Sequence, residues 1–108
     1  EGKERQSLFF ENNASQLKNE HISILSELAD LLNQHGNLDV LIAGFTSEKG
    51  TPLYNQSLSQ HRAEAVKKHL MSNGIHPSRI FMEYHGIDYG VGDAAQGRRT
   101  DLILMIRK

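Results

Sequence analysis

Cysteine is absent from the 108 residues. Its absence removes disulfide scaffolds, thiol nucleophiles and cysteine-based zinc sites. It fits the cytosol and the periplasm equally well. An excess of one charge is also missing: charged residues make up 23% and the net charge is −1. There is thus no basic field for nucleic acid and no acidic tail. No apolar run approaches the ~20 residues that span a bilayer. Proline occurs only at Pro52 and Pro77. A chain of this length holds one domain around one hydrophobic core. The numbering opens at Glu1 with no initiator methionine. We therefore expect a piece excised from a longer protein, with any membrane anchor left behind.

Catalytic and metal-binding patterns are equally scarce. Six histidines are present, but no H-x-x-x-H or H-E-x-x-H spacing. His61 and His69 stand eight positions apart, about two helical turns, too far to share one metal. Surface or boundary histidines are the expectation, with no metal and no cofactor. Ser57 and Ser59 lack the elbow motif of a nucleophile. Glu11, Glu48, Asp88 and Asp93 are scattered, with no spacing that asks for a carboxylate pair. The glycine-rich stretch Gly86 to Gly97 lacks the strand and helix of a phosphate cradle. Arg98 and Arg99 open the last strand, where an ion pair with Asp101 or Glu83 is expected for at least one of them. An enzyme is not expected.

What is present is alternation of strands and helices. Residues 1–6 read as a frayed end or linker and 7–108 as the domain. Ser7 to Phe10 is a short aromatic strand. From Asn19 to His35, Ile24, Leu25, Leu28, Leu31, Leu32 and His35 follow the spacing of one buried helical face. Gly36 and Asn37 should end that helix with a left-handed cap. Leu38 to Gly44 is a strand whose near-continuous apolar run, Val40 to Ala43, predicts burial on both faces. A second helix should run from Pro52 to about Asn73, with Thr51 as N-cap and a stop at Asn73-Gly74. Ile80 to His85 alternates as a third strand. The loop from Gly86 to Gly97 carries four glycines and two aspartates. Thr100 to Arg107 closes the chain as an apolar strand. Strands joined through helices should be parallel, and the last two are expected to pair antiparallel. The order β-α-β-α-β-β gives an α+β fold: a mixed four-stranded sheet with both helices on one face.

Leu41 to Leu70 carries the functional signal. Leu58, Arg62, Val66 and Leu70 recur every four residues and form one stripe on the second helix. A charge inside an apolar stripe is costly without a partner. Arg62 is then either a structural ion-pair member, an arginine stem along the core edge, or an anion receptor at the end of the sheet. The run I-A-G-F-T-S-x-x-G-x-x-x-Y-N-x-x-L-S-x-x-R-A-x-x-V resembles the core motif of OmpA-like C-terminal domains, G-H-T-D-x-x-G-x-x-x-x-N-x-x-L-S-x-x-R-A-x-x-V. Gly44, Thr46, Gly50, Asn55, Leu58, Ser59, Arg62, Ala63 and Val66 fall in register. Phe45 stands where histidine is usual, and Ser47 where aspartate is usual. Phe10, Asn13, Ser15 and Leu17 loosely match F-D-F-D/N-S-A-x-L, and G-R-R-T-D-L-I-L is similar to N-R-R-V-E-I. The resemblance spans roughly Phe10 to Ile106 and implies the same α+β two-layer sandwich.

The resemblance also implies a non-catalytic function: binding peptidoglycan through the diaminopimelate of its stem peptide. Such a domain would anchor a larger envelope protein on the periplasmic side, with an envelope protein as a further possible partner. Nucleic acid is not an implied partner, and the membrane would be reached only through a part outside this sequence. Diaminopimelate presents an ammonium and a carboxylate on one carbon. The family meets the carboxylate with the motif arginine, here Arg62, and the ammonium with the motif aspartate, here Ser47, which carries no charge. Thr46 and Asn55 match positions that shape the pocket. Phe45 would add an apolar wall, and Glu48 is a candidate replacement anion. Should Arg62 line a pocket, Arg62→Ala should abolish binding and leave the thermal midpoint nearly unchanged. The alternative is an OmpA-like fold that has lost cell-wall binding and serves protein–protein contacts.

Overall fold

A computed structural model describes residues 5–11, 13–47, 51–87 and 94–107. Its elements are β1 (Arg5–Phe9), α1 (Asn19–Gln34), β2 (Leu38–Thr46), α2 (Pro52–Ser72), a 3-10 turn (Pro77–Arg79), β3 (Ile80–Ile87), the single turn α3 (Ala94–Gly97) and β4 (Arg99–Ile106). No described helix is long and apolar enough to cross a membrane.

The second helix begins and ends as its sequence dictates. Thr51 Oγ1 accepts the Tyr54 N–H at 3.1 Å, and Pro52 follows in the first turn. At the other end Gly74 takes φ +91°, a conformation that suits only glycine well. The Ile75 N–H then reaches Leu70 O, and the Gly74 N–H reaches Met71 O. This is a Schellman cap, and Ile75 is buried behind it.

The first helix starts at Asn19 as expected but ends differently. The left-handed cap expected at Gly36-Asn37 does not form; His35 is the extended C-cap. The Arg79 guanidinium takes the work instead, donating to Leu32 O, His35 O and Leu38 O. Arg107 donates to Gly36 O and pairs with Asp39. Cations at a helix C-terminus satisfy its orphan carbonyls and complement its dipole. At the N-terminus, Lys18 has no side-chain oxygen to cap with. His21 supplies half of a capping box: its Nδ1 accepts the Lys18 N–H at 3.0 Å. Nε2 must then carry the proton, and it donates to Phe9 O at 2.7 Å. His21 is 2% exposed and tilted against Phe10. The expectation of surface or boundary histidines therefore fails for this one, because a histidine at the third helical position can cap and bury at once.

The sheet has the order β1-β4-β2-β3. β2 and β3 are parallel neighbours, while β4 runs antiparallel to both β1 and β2. The last two strands therefore do not pair, contrary to expectation. The α1 crossover leaves a one-strand gap between β1 and β2, and β4 fills it. Even-numbered strand residues face the core: Leu8, Val40, Ile42, Ile80, Leu102 and Leu104 meet Leu25, Ala29 and Leu32 of α1 and Ala63, Val66 and Leu70 of α2. Both long helices lie on this face. Leu28 is only half-buried at its margin.

α2 approaches β2 tightly at Gly44. A Cβ there would lie 2.3 Å from the backbone oxygen of Ser59. Ser59 is itself fixed, its hydroxyl donating to Gln56 O and accepting the Gly86 N–H. Gly44→Ala must push a helix backbone off the sheet, an overpacking strain of about 1–3 kcal/mol. At ~4–8 °C per kcal/mol for a domain of this size, the thermal midpoint should fall by at least about 5 °C. A calorimetric scan showing no drop would mean that α2 yields freely.

Candidate functional site

The residues marked by the sequence converge where β2 ends and α2 begins. Thr46 is fully buried, and its hydroxyl donates to Asn55 Oδ1 at 2.8 Å. The Asn55 amide in turn donates to Thr51 O. These two residues fix the ends of the connection between strand and helix. Ser47 follows Thr46 and is half-buried. Glu48 and Gly50 lie outside the described residues.

Arg62 is completely buried. Its Nε donates to Ala14 O at 2.8 Å, one terminal nitrogen to Phe45 O at 3.0 Å and the other to Glu11 O at 3.1 Å. Its carbon centre lies 5.2 Å from the centroid of the Phe10 ring, a cation–π distance. Arg62 is therefore not exposed as a pocket-lining arginine would be. The guanidinium is a clamp joining the segment after β1 to the last residues of β2. A planar fork with five donors suits that task, since it can hold carbonyls from several directions at once.

Phe45 takes part through its backbone. Its carbonyl meets Arg62, while its ring lies among the odd-numbered residues of the sheet. There the Arg99 guanidinium sits 4.1 Å over its centroid, and the His85 ring stacks at 4.6 Å and 7° on it. The expected apolar wall beside Arg62 is therefore not where the ring is found. Arg99 also pairs with Asp101 at 3.0 Å, the ion pair expected of one of the two arginines. Arg98 instead donates to Phe10 O.

Residues that drew no functional reading complete the surroundings. Tyr54, in the first turn of α2, donates its hydroxyl to Asn13 Oδ1, and Asn13 has φ +57°. Asparagine tolerates that left-handed conformation better than most residues. Glu11, whose carbonyl meets Arg62, pairs its carboxylate with Lys18 at 2.8 Å on the surface. The hydrogen bond from Lys18, and then its charge, holds the Glu11 carboxyl below its ordinary range, and the same bond raises Lys18. Beside them, Phe10, Glu11, Lys18, Gln96 and Arg98 line a hollow of about 290 Å³. Main-chain carbonyls at Glu11 and Ala14 could not be foreseen as partners of Arg62, because any residue type supplies a carbonyl.

A family model described as the OmpA family matches residues 9–100. The chain belongs to the OmpA family. Among its relatives, the peptidoglycan-associated lipoprotein of Pseudomonas putida is 33% identical over 102 residues, covering 89% of this chain and 61% of that protein. The crystal structure of the peptidoglycan-associated lipoprotein from Burkholderia pseudomallei aligns with a TM-score of 0.79 at 30% identity, covering 92% of this chain and 89% of that one. The OmpA-like domain of FopA1 from Francisella tularensis aligns with a TM-score of 0.84 at 18% identity, over 98% of this chain and 75% of that one. That last likeness shows the fold alone. The chain spans less than two thirds of the Pseudomonas putida relative.

Proposed function

We propose that this OmpA family domain binds peptidoglycan without catalysis and tethers a larger envelope protein to the cell wall on the periplasmic side. The observation that carries the reading is its likeness, at 30–33% identity, to two proteins named for their association with peptidoglycan. The local geometry supports it: a guanidinium is held at the end of β2, beneath the segment of Glu11 and Ala14. In the finer reading, that guanidinium takes the carboxylate of the stem-peptide diaminopimelate through paired N–H donors. Thr46 and Asn55 hold the loop beside it. The carbonyls of Glu11, Ala14 and Phe45 now occupy Arg62, so engagement takes a local opening of the segment after β1. Ser47 leaves the ammonium without the usual anion at this position, with Glu48 as a candidate replacement.

One observation favours a second reading. A buried arginine that holds main-chain carbonyls of two segments is also what a purely structural clamp looks like, and Ser47 brings no charge. On that reading the fold persists as a protein–protein interaction module. Sedimentation with insoluble sacculi separates the two. The domain should pellet with sacculi and be released by soluble diaminopimelate-containing stem peptide. A domain that stays in the supernatant at low salt would overturn cell-wall binding and put the interaction module first.

A further inference from the structure

The sequence patterns β2 for burial on two faces, yet both long helices cover only the even-numbered face. The strand register arranges the odd-numbered face in rows across the sheet. One row runs Arg5, Ile103, Leu41, Phe81; the next runs Ser7, Asp101, Ala43, Glu83. Phe81 is 48% exposed and Phe9, further along β1, is 49% exposed. Leu41, Ile103 and Met105 are only half-buried. A sheet face left to water ordinarily alternates to polar side chains. Here an apolar strip lies across the middle of the sheet.

We propose that this face docks a second copy of the chain, in a face-to-face dimer. The charge pattern chooses that occupant. Arg5 stands at the β1 edge and Glu83 at the β3 edge, with side chains 65% and 52% exposed, on opposite flanks of the strip. Within the chain Arg5 lies 3.9 Å from Asp101 and Glu83 2.8 Å from His85, so the dimer contact exchanges or extends these pairs. A two-fold axis parallel to the strands, between β4 and β2, lays each β1 over the partner's β3. It sets Ile103 against the partner's Leu41, and Arg5 within reach of the partner's Phe81 and Glu83. The face is therefore self-complementary, as an isologous interface must be. Two sheets can pack this way about 10 Å apart with strands within ~30° of alignment. An axis perpendicular to the strands, along the strip, would instead lay each Arg5 over the partner's Arg5, like charge on like charge. Four strands at ~4.8 Å spacing and seven residues at ~3.3 Å rise give a footprint of roughly 440 Å² per copy. That lies at the low end for specific association, so the dimer should be weak and reversible. None of this depends on cell-wall binding.

Sedimentation equilibrium of the 108-residue chain, from about 10 µM to about 1 mM, tests it. A concentration-dependent dimer is expected. Phe81→Glu, at an exposed edge position, should weaken it at least about tenfold while keeping a cooperative thermal transition. Arg5→Glu should weaken it too, and adding Glu83→Arg should recover it. A chain that stays monomeric throughout overturns the proposal and leaves the face to another partner. A dimer indifferent to Phe81→Glu overturns it by placing the contact elsewhere, and a charge swap without recovery overturns the two-fold arrangement.

Discussion

Arg62→Ala should destabilise the domain by about 3–5 kcal/mol, because it leaves buried carbonyls without a donor, at roughly 1–3 kcal/mol each and not additively, and opens a cavity. The substitution removes the hydrogen bonds from a charged donor to the Ala14, Phe45 and Glu11 carbonyls. Each such bond is worth roughly 1.5–3 kcal/mol net, and the losses are not additive. It also empties the space of a fully buried side chain beside Phe10. Against a typical net stability of about 5–15 kcal/mol, the loss is large. A ligand-binding arginine on the surface would change stability by no more than about 0.5 kcal/mol. Thermal or urea unfolding of the variant distinguishes the cases, and an unchanged midpoint would refute the clamp. Arg62→Lys should recover only part of the loss, because a single ammonium cannot reach three carbonyls set in different directions. Sacculus binding by Arg62→Ala then has to be scored on folded protein at low temperature, since unfolding alone would abolish it.

Most of the fold was legible because its signals are local. Thr51-Pro52 and Asn73-Gly74-Ile75 enclose α2, and the stripe from Ile24 to Leu32 orients α1, with Leu25 and Leu32 buried at its centre, Ile24, Leu28 and Leu31 at its margin and His35 exposed beyond it. The place of β4 was not legible. Whether it lies beside β3 or between β1 and β2 depends on a gap between strands that are distant in sequence, and no pattern within β4 encodes it. The end of α1 was misread for a related reason. Gly36 offers a left-handed cap, but Arg79, from a different part of the chain, already satisfies the carbonyls. The candidate site divides the same way. The motif located Thr46, Asn55 and Arg62 together, as found. It gave no hint that Phe45 turns its ring to the far face, because the sequence pattern ends the strand at Gly44, whereas β2 alternates on to Thr46. It was equally silent on the carbonyls of Glu11 and Ala14 that Arg62 holds, since any residue type supplies a carbonyl.

Ser47 is the position where one atom-scale change should move binding most. It aligns with the family's aspartate, fifteen positions before Arg62, and directly follows the buried Thr46, whose hydrogen bond to Asn55 fixes the backbone there. A side chain at 47 is therefore presented from a held strand end and not from a loose loop. If the domain takes diaminopimelate, Ser47→Asp should restore an anion for its ammonium. A hydrogen bond to a charged group contributes roughly 1.5–3 kcal/mol net, and about 1.4 kcal/mol is tenfold in affinity. Binding of a diaminopimelate-containing peptide should therefore tighten by about ten- to a hundredfold, more at low salt because charge pairing near the surface is screened. Calorimetric titration of both proteins with the same peptide decides the matter. Equal affinities would mean that another carboxylate, Glu48 or Glu11, already meets the ammonium. For Glu11 that would require its release from Lys18, which now holds it at 2.8 Å. Binding by neither protein would mean that the Arg62 clamp does not open to a ligand, and the interaction module would stand as the function.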